Sequence, residues 1–346
     1  MVLNPKVESR LRLTLTKIIL LPSWIGIALA LSLSPLLRAA PPRVRYLPFG
    51  LSVILLGLPH GAVDHLVPAR IRDTSISIAS VGFVGAIYFF VGGLYFLWWL
   101  IHPSSAAIFF IILTLFHWGQ GDLYALLTFI AVEHLPSRSE RILSLCVRGS
   151  LPMLVPLIFH PDAYQRALAS FVAIFTREVD ISILFNSTTL LSVAVLVATL
   201  TIVVVFAGAY RVSQGAAIRP FAIDIAELGL LWSLFAVVQP VFAVGVYFCV
   251  WHALRHIARL ALIDNQSRMS LIDGEISLSV QRFARDAASL TGVTLLLFIL
   301  FFWLLPQSPA DIEAYGAVYL VGIAVLTAPH VIVVSWMDFR QNVWGN

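Results

Sequence analysis

The chain has 346 residues, of which 60% are hydrophobic and only 12% charged, with a mean hydropathy of +0.93. Soluble domains carry about 25% charged residues; half that share leaves too little polar surface to face water, so the composition excludes a soluble enzyme and describes an integral membrane protein. The net charge of +4 and pI near 9.3 do not indicate nucleic acid, because Lys and Arg gather at the ends of apolar runs, as topology signals do.

Ten apolar runs bounded by charge, Pro or Gly follow one another, at about 18–37, 47–67, 76–101, 105–131, 143–160, 187–210, 221–239, 241–262, 287–305 and 315–337. Each has membrane-spanning length, so the expected fold is an all-α polytopic helical bundle of about eight to ten transmembrane helices. The first run lacks a small-residue cleavage site and reads as a retained span, not a secretory signal. Residues 161–185 are less apolar and contain "TREVD"; they suit a loop, an interfacial helix or a half-span. Two cysteines, Cys146 and Cys249, cannot build a disulfide scaffold, and both are expected to stay reduced within helices.

Lys6, Arg10, Arg12 and Lys17 precede the first span and favour a cytoplasmic N-terminus. Arg70, Arg72, Arg138, Arg141, Arg211, Arg219, Arg268, Arg282 and Arg340 then fall on the same side, while the opposite connections at 102–104 and 306–314 carry no Lys or Arg. Arg38, Arg43 and Arg45 break the pattern at the first hairpin. Both termini are placed inside, in the cell (inner) membrane.

The stretch "GLPHGAVDH", residues 57–65, puts two histidines and an aspartate inside an apolar run. Of nine histidines, His102, His134 and His160 sit at span ends, where an imidazole needs no special role. His60, His117, His252, His256 and His330 lie within spans, and His65 lies near the end of one. Under the topology above, spans two, four, eight and ten all run from outside to inside, with His60, His117, His252 and His330 near mid-depth. At 1.5 Å rise per residue their levels agree within about one or two turns. His256 follows His252 by four, which places both imidazoles on one helical face. Buried ionisable groups are costly in hydrocarbon and mark functional sites by default, so the grouping reads as one shared site.

Acidic residues accompany the motifs. Asp64 follows His60 by four and is a candidate acceptor for its ring N–H, the arrangement that orients ligating imidazoles. Asp122 follows His117, Asp338 follows His330, and Glu227 lies deep enough in the seventh span to support the site. Gly61, Gly119 and Gly121 permit close approach, and Pro59 and Pro329 should bend their helices. Arg255 and Arg259 are expected to reach the inner interface by extending their side chains. Cys249 is expected to pack.

Imidazole-only coordination suits Zn, Cu, Fe or Ni. Four neutral ligands leave an iron(II) ion cationic with positions free for dioxygen, and a mid-membrane location implies a lipophilic substrate. The natural reading is an oxygen-activating iron enzyme acting on a membrane-dissolved lipid. A dinuclear histidine-box desaturase needs more histidine boxes than the chain has. A haem-carrying membrane cytochrome and an intramembrane transporter for metal or protons are the alternatives, although no internal repeat of the transporter kind is visible.

"GLPHGAVDH", "FHWGQGD", "YFCVWHALRH" and "APHVIVVSWMD", in this order and spacing, resemble the motifs of the Brp/Blh (bacteriorhodopsin-related protein-like) family of β-carotene 15,15'-dioxygenases, with a resemblance running from about Gly57 to Asp338. The resemblance implies cleavage of the central double bond of β-carotene by O2 to give two retinals. It also implies Fe(2+) held by His60, His117, His252 and His256; the residue reading sets Asp64, Asp122 and Glu227 around these ligands, and His330 is placed with them. It sets aside His65. Trp118 stands where Phe is common. A functional link to a retinal-binding rhodopsin is implied as well. The first span resembles an addition that shorter members lack, which divides the chain into residues 1–46, a basic segment with an extra helix, and 47–340, the catalytic helical domain.

Overall fold

The computed structural model describes residues 5–304 and 312–345, and among them there is helix but no strand. Ten helices are long and apolar enough to cross a membrane: Lys6–Ser32, Leu47–Arg72, Ile78–Ile101, Pro103–Ile130, Arg138–Phe159, Ser187–Ser213, Ile218–Val237, Pro240–Ile263, Ile276–Trp303 and Ile312–Arg340. They match the ten apolar runs one for one. Most are longer than the runs, because polar residues at the membrane surface continue the backbone hydrogen bonding that the hydrocarbon enforces. The first span begins well before residue 18, and a separate helix, Ser34–Arg38, completes its run. The expected end of the ninth span at Leu305, and most of the connection 306–314, lie outside the described residues.

Burial sorts the spans. Within the ninth span only 6% of the apolar window is buried and within the sixth 11%, whereas the second, fourth, fifth, eighth and tenth are mostly buried. The four histidine-bearing spans are therefore interior helices. The fourth and fifth come together through small residues: a Cβ on Gly119 would collide with the Leu145 carbonyl oxygen, and one on Gly149 with that of Leu115. Only glycine permits that approach, which is how helices pack where lipid supplies no hydrophobic drive.

The second span is discontinuous. Helix Leu47–Ile54 gives way to Gly57–Ala62, a 3-10 turn Asp64–Leu66 and helix Val67–Arg72. Pro59 sits in the first turn of the second piece, where its missing N–H costs little. The eighth span contains a π stretch, Tyr247–Ala253, which includes His252; such bulges re-aim side chains and gather at functional sites. Residues 161–185 form an amphipathic helix, Pro161–Ala173, followed by a short 3-10 turn, and Leu168 and Val172 of that helix are buried. The two cysteines are unpaired in helices, with the Cys249 thiol donating to the Pro48 carbonyl at 3.2 Å.

Candidate metal centre

His60, His117, His252, His256 and His330 all converge, and all five are buried. His117 lies 4.7 Å from His252 and 4.8 Å from His330 between ring centres. His60 lies 5.6 Å from His252, 5.4 Å from His256 and 5.2 Å from His330. The i, i+4 pair His252 and His256 stacks with ring centres 6.4 Å apart. The second, fourth, eighth and tenth spans thus bring together the residues that sequence spacing places at one depth.

The hydrogen bonding is unusual for buried groups. His117, His252 and His256 have no partner on either ring nitrogen, and His330 has none on Nε2. Leaving a buried polar atom unpaired costs about 1–3 kcal/mol, so this many orphaned atoms in one place call for an external partner. One ligand nitrogen each from His60, His117 and His330 lies within 4.8 Å of the others, and so do ligand atoms of Asp64, His256 and His330. Two nitrogens on one ion, each bonded at about 2.1 Å, are at most about 4.2 Å apart. A small contraction would close either group on a metal, and His252 belongs to neither. The donor set fits an imidazole-bound divalent ion.

Asp64 makes different contacts from those its spacing suggests. The helix carrying His60 ends at Ala62, and the 3-10 turn that follows rotates Asp64 away from the i, i+4 position. His60 instead donates from Nδ1 to the Leu56 carbonyl at 3.2 Å. The Asp64 Oδ2 accepts from His330 Nδ1 and from the Tyr88 hydroxyl, both at 2.7 Å. His65 turns its Nδ1–H to the Ala62 carbonyl at 2.9 Å.

Asp122 and Glu227 belong to a second buried cluster. The Arg148 guanidinium reaches Asp122 and Glu227 at 3.2 Å each and also pairs with Asp224. Arg255 pairs with Glu227 at 2.6 Å and lies over the Trp251 ring, which itself donates to Asp122 at 2.8 Å. Arg259 pairs with Asp338 at 2.8 Å and bonds Gln341. Arg255 and Arg259 are 2% and 1% exposed, so the expected extension to the inner interface is corrected: buried carboxylates hold both guanidiniums inside. His134 is drawn in too, through a 2.8 Å bond to Asp224. The first span contributes Trp24, whose ring N–H donates to Glu227 at 2.8 Å. Asp122 and Glu227 make no hydrogen bond to the imidazoles; they meet the eighth span through Trp251 and Arg255. Arg148 was announced in the sequence only as a lone cation within an apolar run; Tyr88 carried no signal, since aromatics abound.

A cavity of about 510 Å³ opens on the cluster, with His60, His117, His330, Asp64 and Tyr88 on its wall. The remainder is largely apolar, from Phe49, Phe110, Met153, Phe171, Val244 and Leu297 among others. The helix Pro161–Ala173 supplies part of that wall through Tyr164, Ala167, Leu168 and Phe171. Its size is that of a site for an organic ligand, and pockets of this kind are mostly apolar with a few converging polar groups. Thr114 and Trp118 complete the rim near His117.

Fold and site together define a polytopic membrane protein whose buried imidazole centre faces a hydrocarbon-lined chamber. The chain belongs to the beta-carotene 15,15'-dioxygenase family, whose model matches residues 51–338. It is 40% identical to the probable beta-carotene 15,15'-dioxygenase Blh of Halobacterium salinarum over 97% of this chain and 96% of that one. The probable dioxygenase Brp of the same species is 26% identical over 88% of this chain and 87% of its own length. The beta-carotene 15,15'-dioxygenase of an uncultured marine bacterium is 22% identical over 84% and 92%. No solved structure is similar. Membership makes the chain an oxygenase of carotenoid cleavage, and the resemblance read in its four motifs holds.

Proposed function

We propose that this protein cleaves the central 15,15' double bond of β-carotene with O2, using Fe(2+) bound by His60, His117, His252 and His256. The observation that carries the reading is the set of orphaned imidazole nitrogens in one cluster that reaches the wall of an apolar cavity through His60, His117 and His330. In the overall reaction the central C=C is replaced by two C=O groups, and both atoms of O2 enter the two retinals. The bound iron supplies the activation of dioxygen.

The chain's residues supply the rest. The cavity walls take the polyene out of the bilayer and align it along the imidazole cluster. They also exclude water, which limits side reactions of activated oxygen. Asp64 holds His330 through its Nδ1–H, and the arginine–carboxylate layer fixes the eighth span on which His252 and His256 sit. No acid, base or nucleophile is required of a side chain. We place the protein in the cell (inner) membrane with both termini cytoplasmic, on the distribution of Lys and Arg. Residues 47–340 form the catalytic domain and 1–46 an added segment whose Trp24 braces the ionic layer. Retinal released into the membrane suits a retinal-binding rhodopsin as its consumer.

The test is expression in carotene-accumulating bacteria with and without an iron chelator, followed by pigment analysis. Loss of β-carotene and appearance of retinal, suppressed by chelation, is expected. Carotene that persists unchanged when the protein is present and iron is supplied would overturn the reading.

A further inference from the structure

The resemblance that brings iron to four histidines leaves His330 as a supporting group, and three observations place it elsewhere. His330 is the one histidine common to both groups of ligand atoms that lie within 4.8 Å of one another. Two imidazoles on one ion with bonds of about 2 Å hold their ring centres roughly 4.5–6.5 Å apart. His330 stands 5.2 Å from His60, 4.8 Å from His117 and 5.0 Å from His256, so it fits that range against three neighbours at once. The pair His117 and His256, both expected as ligands, stands at 6.4 Å, near the upper limit.

Its hydrogen bonding completes the case. The Nδ1–H of His330 donates to Asp64 Oδ2, which makes Nε2 the lone-pair nitrogen. That Nε2 is buried, without a partner, on a ring in edge contact with His60, His117 and His256. A carboxylate bound to one ring nitrogen while the other is left open is the arrangement by which proteins orient a metal-ligating histidine and raise its basicity. Asp64 is held in turn by the Tyr88 hydroxyl on the cavity wall.

We infer that His330 is itself a metal ligand through Nε2, with Asp64 as its positioning residue and Tyr88 behind Asp64. The inference rests on the metal reading above and extends it to a fifth imidazole. Among the cluster's histidines His330 alone is held by a carboxylate, so it is the most firmly oriented donor and the one around which the others close.

The probe is Co(2+), added to the purified metal-free protein and read by its ligand-field absorption. Wild type is expected to take up one ion per chain. His330→Ala should change the position and intensity of the bands and weaken binding on the order of a thousandfold, beyond the 10–100-fold typical of outer partners. Asp64→Asn should keep the band pattern and lose only about 10–100-fold. If His330→Ala does not accumulate as folded protein, His330→Gln preserves more bulk and is read the same way, since an amide oxygen also alters the spectrum. An unchanged spectrum in the His330 variant, whatever its affinity, overturns this inference and leaves the four-histidine reading intact. A wild type that binds no divalent ion overturns both.

Discussion

Two buried polar clusters lie side by side in this bundle, and they are built in opposite ways. In the layer around Arg148, Arg255 and Arg259, the carboxylates of Asp122, Asp224, Glu227 and Asp338 meet a guanidinium, and Trp24, Trp251 and His134 contribute further bonds. In the cluster of His60, His117, His252, His256 and His330, most ring nitrogens meet nothing. The first arrangement is largely closed within the chain, with only single atoms such as Arg255 Nε, Arg259 Nη1 and His134 Nδ1 left unbonded, and it serves the fold. The second is incomplete until something is bound, and it alone faces the cavity. Burial and polarity are the same in both, so the difference lies in satisfaction of hydrogen bonding; that property separates a site from a strut.

The contrast breaks most sharply at the imidazoles. Replacing His60, His117, His252 or His256 with Ala should each bring retinal formation below detection while the protein still accumulates in the membrane. The check is product analysis beside metal content for the same preparation, and a variant with near-normal turnover and iron removes that residue from the ligand set. Arg148→Ala should do the reverse. It removes the guanidinium shared by three buried carboxylates, and breaking such a network by removing one partner destabilises by about 3–5 kcal/mol. Thermal unfolding in detergent or nanodiscs should show a large fall for Arg148→Ala and a small one for the histidine variants.

Asp64→Ala falls between these two kinds of variant in its expected effect and sharpens the boundary. It should lower metal affinity or activity by about 10–100-fold, with fold largely kept. Unchanged iron, stability and cleavage together would take Asp64 out of the site. Trp24→Phe removes one hydrogen bond to a buried carboxylate and should cost about 1.5–3 kcal/mol of stability without altering metal stoichiometry. His102→Ala, at a span end, should change activity and stability least, within about 0.5 kcal/mol.

Much of this contrast was legible in the chain. Ten apolar runs gave ten helices, since hydrocarbon leaves the backbone no other way to satisfy its hydrogen bonds. The topology signals then aligned histidines from four parallel helices at one depth, and those residues do meet. What sequence spacing could not reveal was side-chain direction where helices lose their regular turn. The break at Val63 sends Asp64 to His330 instead of His60, and the π stretch at Tyr247–Ala253 sets the rotation of His252. The ionic layer was half visible. Asp122 and Glu227 stood out as acids in apolar runs, but their partners come from other helices, and Arg255 and Arg259 near a span end look alike whether they reach outward or inward. The helix Pro161–Ala173 was open to three readings because an amphipathic segment of that length suits any of them; its apolar face turned out to close the cavity.

The central claim is that the unsatisfied histidines bind a single iron used for oxygen chemistry. The most direct test is metal analysis and absorption spectroscopy of the purified, active protein. The account predicts one iron per chain and no haem absorbance, with the iron lost on replacing His117. Two irons per chain, or an active protein carrying mainly zinc, would contradict it.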